Sequence, residues 1–146
     1  MHIQWMTVLK KYRAKTSILK TYRKMRILFL DDDHERLVAA KRHFPGQELI
    51  LVETAKQAID AIDSMPRFDL IHLDHDLGGI FLPSDEKSGY HVACHIANLP
   101  KSKLPDNIIV HSYNPDGAKR MLAALKNVCP TYYIPFNFEK PSFTIN

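Results

Sequence analysis

Three carboxylates and two imidazoles fall within the eight residues Asp69 to Asp76 of the segment "DLIHLDHDLGG", residues 69–79. Two other polar clusters each follow an apolar run: "DDD" at 31–33 after "RILFL", and "HSYN" at 111–114 after "NIIV". Crowded carboxylates repel one another, so they need a cation or raised pKa values. Hard oxygen donors suit Mg²⁺ or Mn²⁺, and Asp31, Asp32 and Asp74 are the candidate ligands. A cation held there keeps positions open for water and a phosphoryl oxygen. Imidazole does proton transfer near neutral pH. His75 and His111 are therefore the candidates to activate water and to protonate a leaving oxygen, beside the catalytic candidate Asp74. Ser112, Asn114 and the positive end of the helix opening at Asn114 are placed to hold phosphoryl oxygens.

The elements that must bring these groups together alternate along the chain. "RILFL" reads as a strand buried on both faces, and Asp33 caps the helix after it, with Leu37, Ala40 and Phe44 turned inward. "PG" at 45–46 ends that helix. "ELILVE" is a second strand. Thr54 and Gln57 form a capping box for a helix with Ala55, Ala58, Ile59 and Ile62 on one face. "FDLIHL" is the third strand, followed by a long loop through "GGIFLPSDEKSG" and a short helix, "YHVACHIAN". "NIIVHS" is the fourth strand, Asn114 and Pro115 open the next helix, and "TYYIPF" is the fifth strand. This alternation predicts an α/β fold, a flavodoxin-like three-layer sandwich on a five-stranded parallel sheet of order 2-1-3-4-5. The tail "NFEKPSFTIN" is too short and proline-broken for a final helix. In a parallel sheet every strand ends on the same edge, so the first, third and fourth strands deliver their polar ends side by side.

Length and composition bound the rest. The 146 residues, 45% hydrophobic and 25% charged, fit one soluble domain. No apolar run is long enough to span a bilayer, and no signal-peptide pattern opens the chain. Cys94 and Cys129 make no close-spaced pair, so a reduced, cytoplasmic setting is expected. The net charge of +4 is uneven: residues 1–24 hold seven Lys or Arg and no acid. Residues 25–146 hold thirteen Lys or Arg against sixteen Asp or Glu. The chain therefore divides into a basic extension, 1–24, and a folded domain, 25–146. The extension reads as a poorly ordered or over-extended start, with contact to nucleic acid as the rival reading. His72 is expected to be a hydrogen-bonded core histidine. His91, Cys94 and His95 have ligand-like spacing but no third partner, and are expected on a surface face.

"ILFLDDD", "DLIHLDHDLGG" and "VHSYN" resemble the response-regulator receiver domains. The resemblance puts Asp31 and Asp32 at the acidic pair, Asp74 at the phosphoacceptor, Ser112 at the hydroxyl position and Asp76 at the backbone carbonyl that faces the metal. Where receivers carry Lys-Pro-Phe, this chain has Ile134-Pro135-Phe136. A closer resemblance is to the cyclic-phosphate processing receiver domains. It rests on Leu30-Asp31-Asp32 with Arg36, Leu73 to Gly78 ("LDHDLG"), Gly89, and His111-Ser112 with Asn114. It covers nearly all of Met25 to Phe136. It implies a metal-dependent phosphoesterase acting on a cyclic or terminal phosphate of a nucleotide or RNA end, with Arg36 as a phosphate ligand and Mg²⁺ or Mn²⁺ as cofactor. A divergent phosphoacceptor module and a non-catalytic cyclic-nucleotide binder are the alternatives.

Overall fold

The computed structural model describes residues 23–77 and 87–139. The basic residues 1–22, most of the long loop after Asp76, and the tail from 140 lie outside the described residues. The element order is β1 (Arg26–Leu30), α1 (His34–His43), β2 (Glu48–Val52), α2 (Ala55–Ser64), β3 (Leu70–Leu73), α3 (Gly89–Ala97), β4 (Asn107–Val110), α4 (Pro115–Leu125) and β5 (Thr131–Tyr133). A 3₁₀ turn at Lys101–Lys103, which no sequence signal announced, precedes β4. All strand pairings are parallel, in the order β2-β1-β3-β4-β5. The three-layer receiver-like arrangement is as expected, and no helix follows β5 among the described residues.

Side-chain chemistry sets the helix starts. Asp33 accepts from the Arg36 backbone N–H at 3.1 Å, and Thr54 with Gln57 completes its capping box. Asn114 accepts from the Gly117 N–H at 2.9 Å, with Pro115 following at the first helical position. Gly46, at φ 76°, turns the chain after α1 in a conformation that suits glycine. The fifth strand stops at Tyr133, short of the expected Phe136. Ile134 still donates to Val110 at 2.8 Å and Phe136 to His111 at a longer 3.4 Å, while Pro135 falls on the open edge, where no N–H is needed.

Strand alternation divides the core into two layers. Leu28, Leu30, Ile71, Leu73, Ile108 and Val110 face α2, α3 and α4. Ile27, Phe29, Leu70 and Ile109 face α1 and the segment carrying Ile134 and Phe136. Burying each such side chain contributes about 1.5–3 kcal/mol. His72 is buried in the second layer, 5.1 Å from the Phe29 ring and 5.4 Å from Phe44, ring centre to ring centre. No helix among the described residues is long and apolar enough to cross a membrane.

Candidate functional site

Register brings three of the predicted groups to one level. Leu30 pairs with Leu73, and Leu73 with Val110. The backbone ladder then runs one residue further: the Asp74 N–H donates to Leu30 and the His111 N–H to Leu73. Asp31, Asp74 and His111 are therefore neighbours. By strand alternation all three point to the same layer as Phe29, His72 and Ile109, toward α1. Each is buried, and one ligand atom from each lies within 4.8 Å of the others.

Arg36, in the first turn of α1, reaches into this trio. Its Nη2 donates to Asp31 Oδ1 at 2.9 Å and to Asp74 Oδ2 at 3.3 Å. Its Nε lies 2.8 Å from Asp31 Oδ2, an ion-pair contact off the axis of a hydrogen bond. His111 Nε2 lies 2.8 Å from Asp31 Oδ2, and the carboxylate can only accept, so the proton is on Nε2. The His111 ring stacks on Phe29 at 4.7 Å, and its Nδ1 is buried with no hydrogen-bond partner among the described residues. The Asp33 N–H donates to Asp31 Oδ1 at 2.8 Å.

The two acids respond differently to the same pocket. Burial pushes Asp31 up, but its bonds from His111 and Arg36 together outweigh burial and hold it below the ordinary carboxylate range. Burial pushes Asp74 up to about 6; His111 and Arg36 oppose that rise and the neighbouring Asp31 charge adds to it. Asp74 Oδ1 accepts from the His75 backbone N–H at 2.8 Å.

The remaining candidates form a second cluster. His75 follows Asp74, so alternation sends its ring toward α4. There it lies so close to Gly117 that a Cβ would sit 2.4 Å from the ring. His75 Nδ1 is 2.7 Å from Asp76 Oδ1, and Asn114 Nδ2 donates to the same oxygen at 3.1 Å. Burial opposes, but bonds from His75 and Asn114 hold Asp76 below its usual value. The side chain of Asp76 is largely exposed. Ser112 is buried, and its Oγ accepts from the Asn114 N–H at 3.0 Å. Asp32 is half-buried and, with Asp76 and His75, lies outside the Asp31–Asp74–His111 trio.

Other expectations also find their places. His91 is exposed, and His95 pairs with Asp63 at 2.8 Å. Among the described residues these make no metal-ligand cluster. Arg120 lies over the Tyr90 ring at 4.5 Å. Tyr113 and Gly117 were missed from sequence, and Gly89 was noted there only as part of the family resemblance. Tyr113 is 57% exposed, holds the Phe136 carbonyl through its hydroxyl, and has the Arg36 guanidinium 5.6 Å from its ring centre. Gly117 and Gly89 let backbone and ring approach closely. A Cβ at Gly89 would sit 1.7 Å from the Asp74 carbonyl oxygen. A glycine inside the first turn of a helix is the signal that could have found both.

Several solved structures share this fold. A phosphorylated cyanobacterial phytochrome response regulator, RcpA, is 19% identical with a TM-score of 0.59, over 82% of this chain and 87% of its own. A manganese-bound response regulator, Rcp1, is 19% identical with a TM-score of 0.58, over 81% and 86%. A signal receiver domain of an HD domain-containing protein from Pseudomonas fluorescens is 19% identical with a TM-score of 0.57, over 80% and 87%. No curated protein matches the sequence. Residues 26–127, which carry Asp31, Asp74, His111, Arg36 and both glycines, match the profile of the cyclic-phosphate processing receiver domain, and the chain belongs to that family.

Proposed function

We propose that this domain accepts a phosphoryl group on Asp74. An Asp74 oxygen attacks phosphorus, the donor's P–O bond breaks with its electron pair leaving on the donor oxygen, and an acyl phosphate forms. The observation that carries this reading is the setting of Asp74. It is buried and shares one guanidinium with Asp31. With its pKa raised to about 6 it is ionised at neutral pH yet poorly solvated, which suits a nucleophile. Arg36 supplies positive charge that Ile134, standing where receivers carry lysine, does not. Ser112 and the N–H groups opening α4 are candidate donors to phosphoryl oxygens.

The donor set fits a divalent cation. Two carboxylates and an imidazole converge, and Asp32, half-buried and next to Asp31 in the chain, is a further candidate carboxylate. Asp31, Asp32 and Asp74 would hold Mg²⁺ or Mn²⁺, which when bound neutralises the acids and polarises a phosphoryl oxygen. The manganese-bound response regulator of the same fold supports a divalent cation here.

A second reading, hydrolysis of a cyclic or terminal phosphate on a small molecule or RNA end, is favoured by the family match. In it Asp74 meets the same phosphorus and His75 and His111 carry protons. The buried nitrogens of both rings weigh against direct proton transfer to a substrate. The seven cations of residues 1–24 would add sequence-independent contact to an RNA substrate.

One experiment separates the readings. The chain is incubated with acetyl phosphate and Mg²⁺ and analysed by intact-mass spectrometry. In parallel it meets cyclic mono- and dinucleotides and RNA ends bearing 2′,3′-cyclic phosphate. A label lost in Asp74→Asn supports the acceptor. Ring opening without a stable label supports the hydrolase. Neither label nor turnover, with cation present, sinks both.

A further inference from the structure

We infer that Arg36 is the site's own counter-cation: it competes with a divalent cation for Asp31 and Asp74, and once displaced it becomes a ligand of the incoming phosphoryl group. The phosphoryl part rests on the reading of Asp74 given above; the competition does not.

The argument starts from how fully Asp31 is engaged. A carboxylate offers about four acceptor positions. Asp31 Oδ1 meets the Asp33 N–H and Arg36 Nη2, and Oδ2 meets His111 Nε2 and Arg36 Nε. Another cation on Asp31 must replace one of these donors. The Asp33 N–H belongs to the backbone at the cap of α1. His111 is 1% exposed and stacked on Phe29. Arg36 has a side chain 16% exposed on a long, flexible stem, so it is the donor that can leave. The same guanidinium also holds Asp74, so one movement frees both acids.

Charge and geometry say where it goes. Two carboxylates and one guanidinium sum to a negative pocket. A divalent cation turns that sum positive and repels Arg36. Tyr113, beside the guanidinium and largely exposed, offers a π-face on the way out. A phosphoryl group arriving at Asp74 restores negative charge within reach of the same side chain, and guanidinium matches its oxygens in a fork. Cation and phosphoryl group should therefore bind with positive coupling, and Arg36 carries the coupling.

The test is a calorimetric Mn²⁺ titration of the full chain as wild type, Arg36→Met and Arg36→Lys, with and without beryllofluoride as the phosphoryl mimic. Arg36→Met is expected to bind Mn²⁺ about tenfold tighter than wild type in the absence of the mimic, and to lose most of the tightening the mimic gives wild type. Arg36→Lys keeps a charge that bridges both acids poorly and falls between. The thermal midpoint is read alongside: Mn²⁺ should raise it more in Arg36→Met than in wild type. An Arg36→Met chain that folds only when Mn²⁺ is added counts the same way. Equal or weaker Mn²⁺ binding by Arg36→Met, with its fold intact by circular dichroism, overturns the inference, as does no response to Mn²⁺ in any variant. Acetyl phosphate labelling with unaltered Mn²⁺ affinity removes Arg36's role and leaves the acceptor reading standing. Intact competition without labelling does the reverse.

Discussion

Asp69 and Asp74 sit at opposite ends of one strand, one residue before β3 and one residue after it. They are equally buried, at 5% and 4% exposure, and both lie beside arginine. What differs is how the cations are shared. Asp69 accepts from the Arg26 backbone N–H at 2.8 Å, with Arg67 and Arg23 at 3.7 and 3.6 Å. It has two guanidiniums near it, one of them shared with Asp106 at 3.0 Å, besides the backbone N–H. Asp74 shares Arg36, its one arginine among the described residues, with Asp31, which takes the shorter contacts. Burial then raises Asp74 to about 6. The first arrangement fastens the start of a strand. The second leaves a carboxylate under-compensated at the edge where parallel sheets bind ligands. Burial and an arginine neighbour do not mark a functional acid; a shortage of compensating charge does.

Substitutions should break this contrast in opposite directions. Asp74→Asn should abolish phosphoryl labelling, a loss of at least about a hundredfold, because the nucleophile is gone. Its urea unfolding midpoint at pH 7.5 should hold or rise, since an uncomfortable charge is removed. Asp31→Ala should show the largest loss of stability, about 3–5 kcal/mol, by stranding Arg36 and His111 without their shared partner. Asp69→Ala should cost less, about 1–3 kcal/mol, because Arg67 keeps Asp106 at 3.0 Å while the Arg26 N–H loses its acceptor. Labelling per folded molecule should be untouched in Asp69→Ala. An Asp69→Ala protein that folds but fails to label would dissolve the contrast.

The sheet was legible because apolar runs and capping residues punctuate the chain. Asp33, Thr54 with Gln57, and Asn114 with Pro115 each open the helix their chemistry announces. The convergence of Asp31, Asp74 and His111 was legible too, since each directly follows an apolar strand. The division of the polar groups was not. His75 follows Asp74 directly, and a strand end sends successive side chains to opposite layers, while Asp76, past the end of β3, turns to His75 and Asn114 rather than to Asp74. Arg36 illustrates a different limit. Its backbone N–H does meet Asp33, as a helix cap would have it, while its side chain crosses to Asp31 and Asp74. A long side chain's destination depends on the depth of the pocket beside it, which spacing does not encode.

The dependence of stability on pH tests the charge account most directly. His72 is buried and its pKa is lowered well below the usual 6.5, by burial and then by the neighbouring His111 and His43. Below about pH 6.5 the unfolded chain takes up a proton that folded His72 refuses, so this group withdraws stability as pH falls. Asp74 works in the other sense. With a folded value of about 6 against an ordinary 3.8, the folded chain takes its proton first, and stability is regained as pH falls through 6 toward 4. That shift corresponds to about 3 kcal/mol between the two ends of the window. The stability advantage of Asp74→Asn over wild type should therefore be greatest near pH 7.5 and shrink steadily to nothing near pH 4. A His72→Phe chain should lose less stability than wild type on acidification below pH 6.5. Urea midpoints for the three proteins at half-unit pH steps give both differences. An Asp74→Asn advantage that stays constant with pH would mean that Asp74 already has its full share of Arg36, and the contrast with Asp69 would then lose its electrostatic basis.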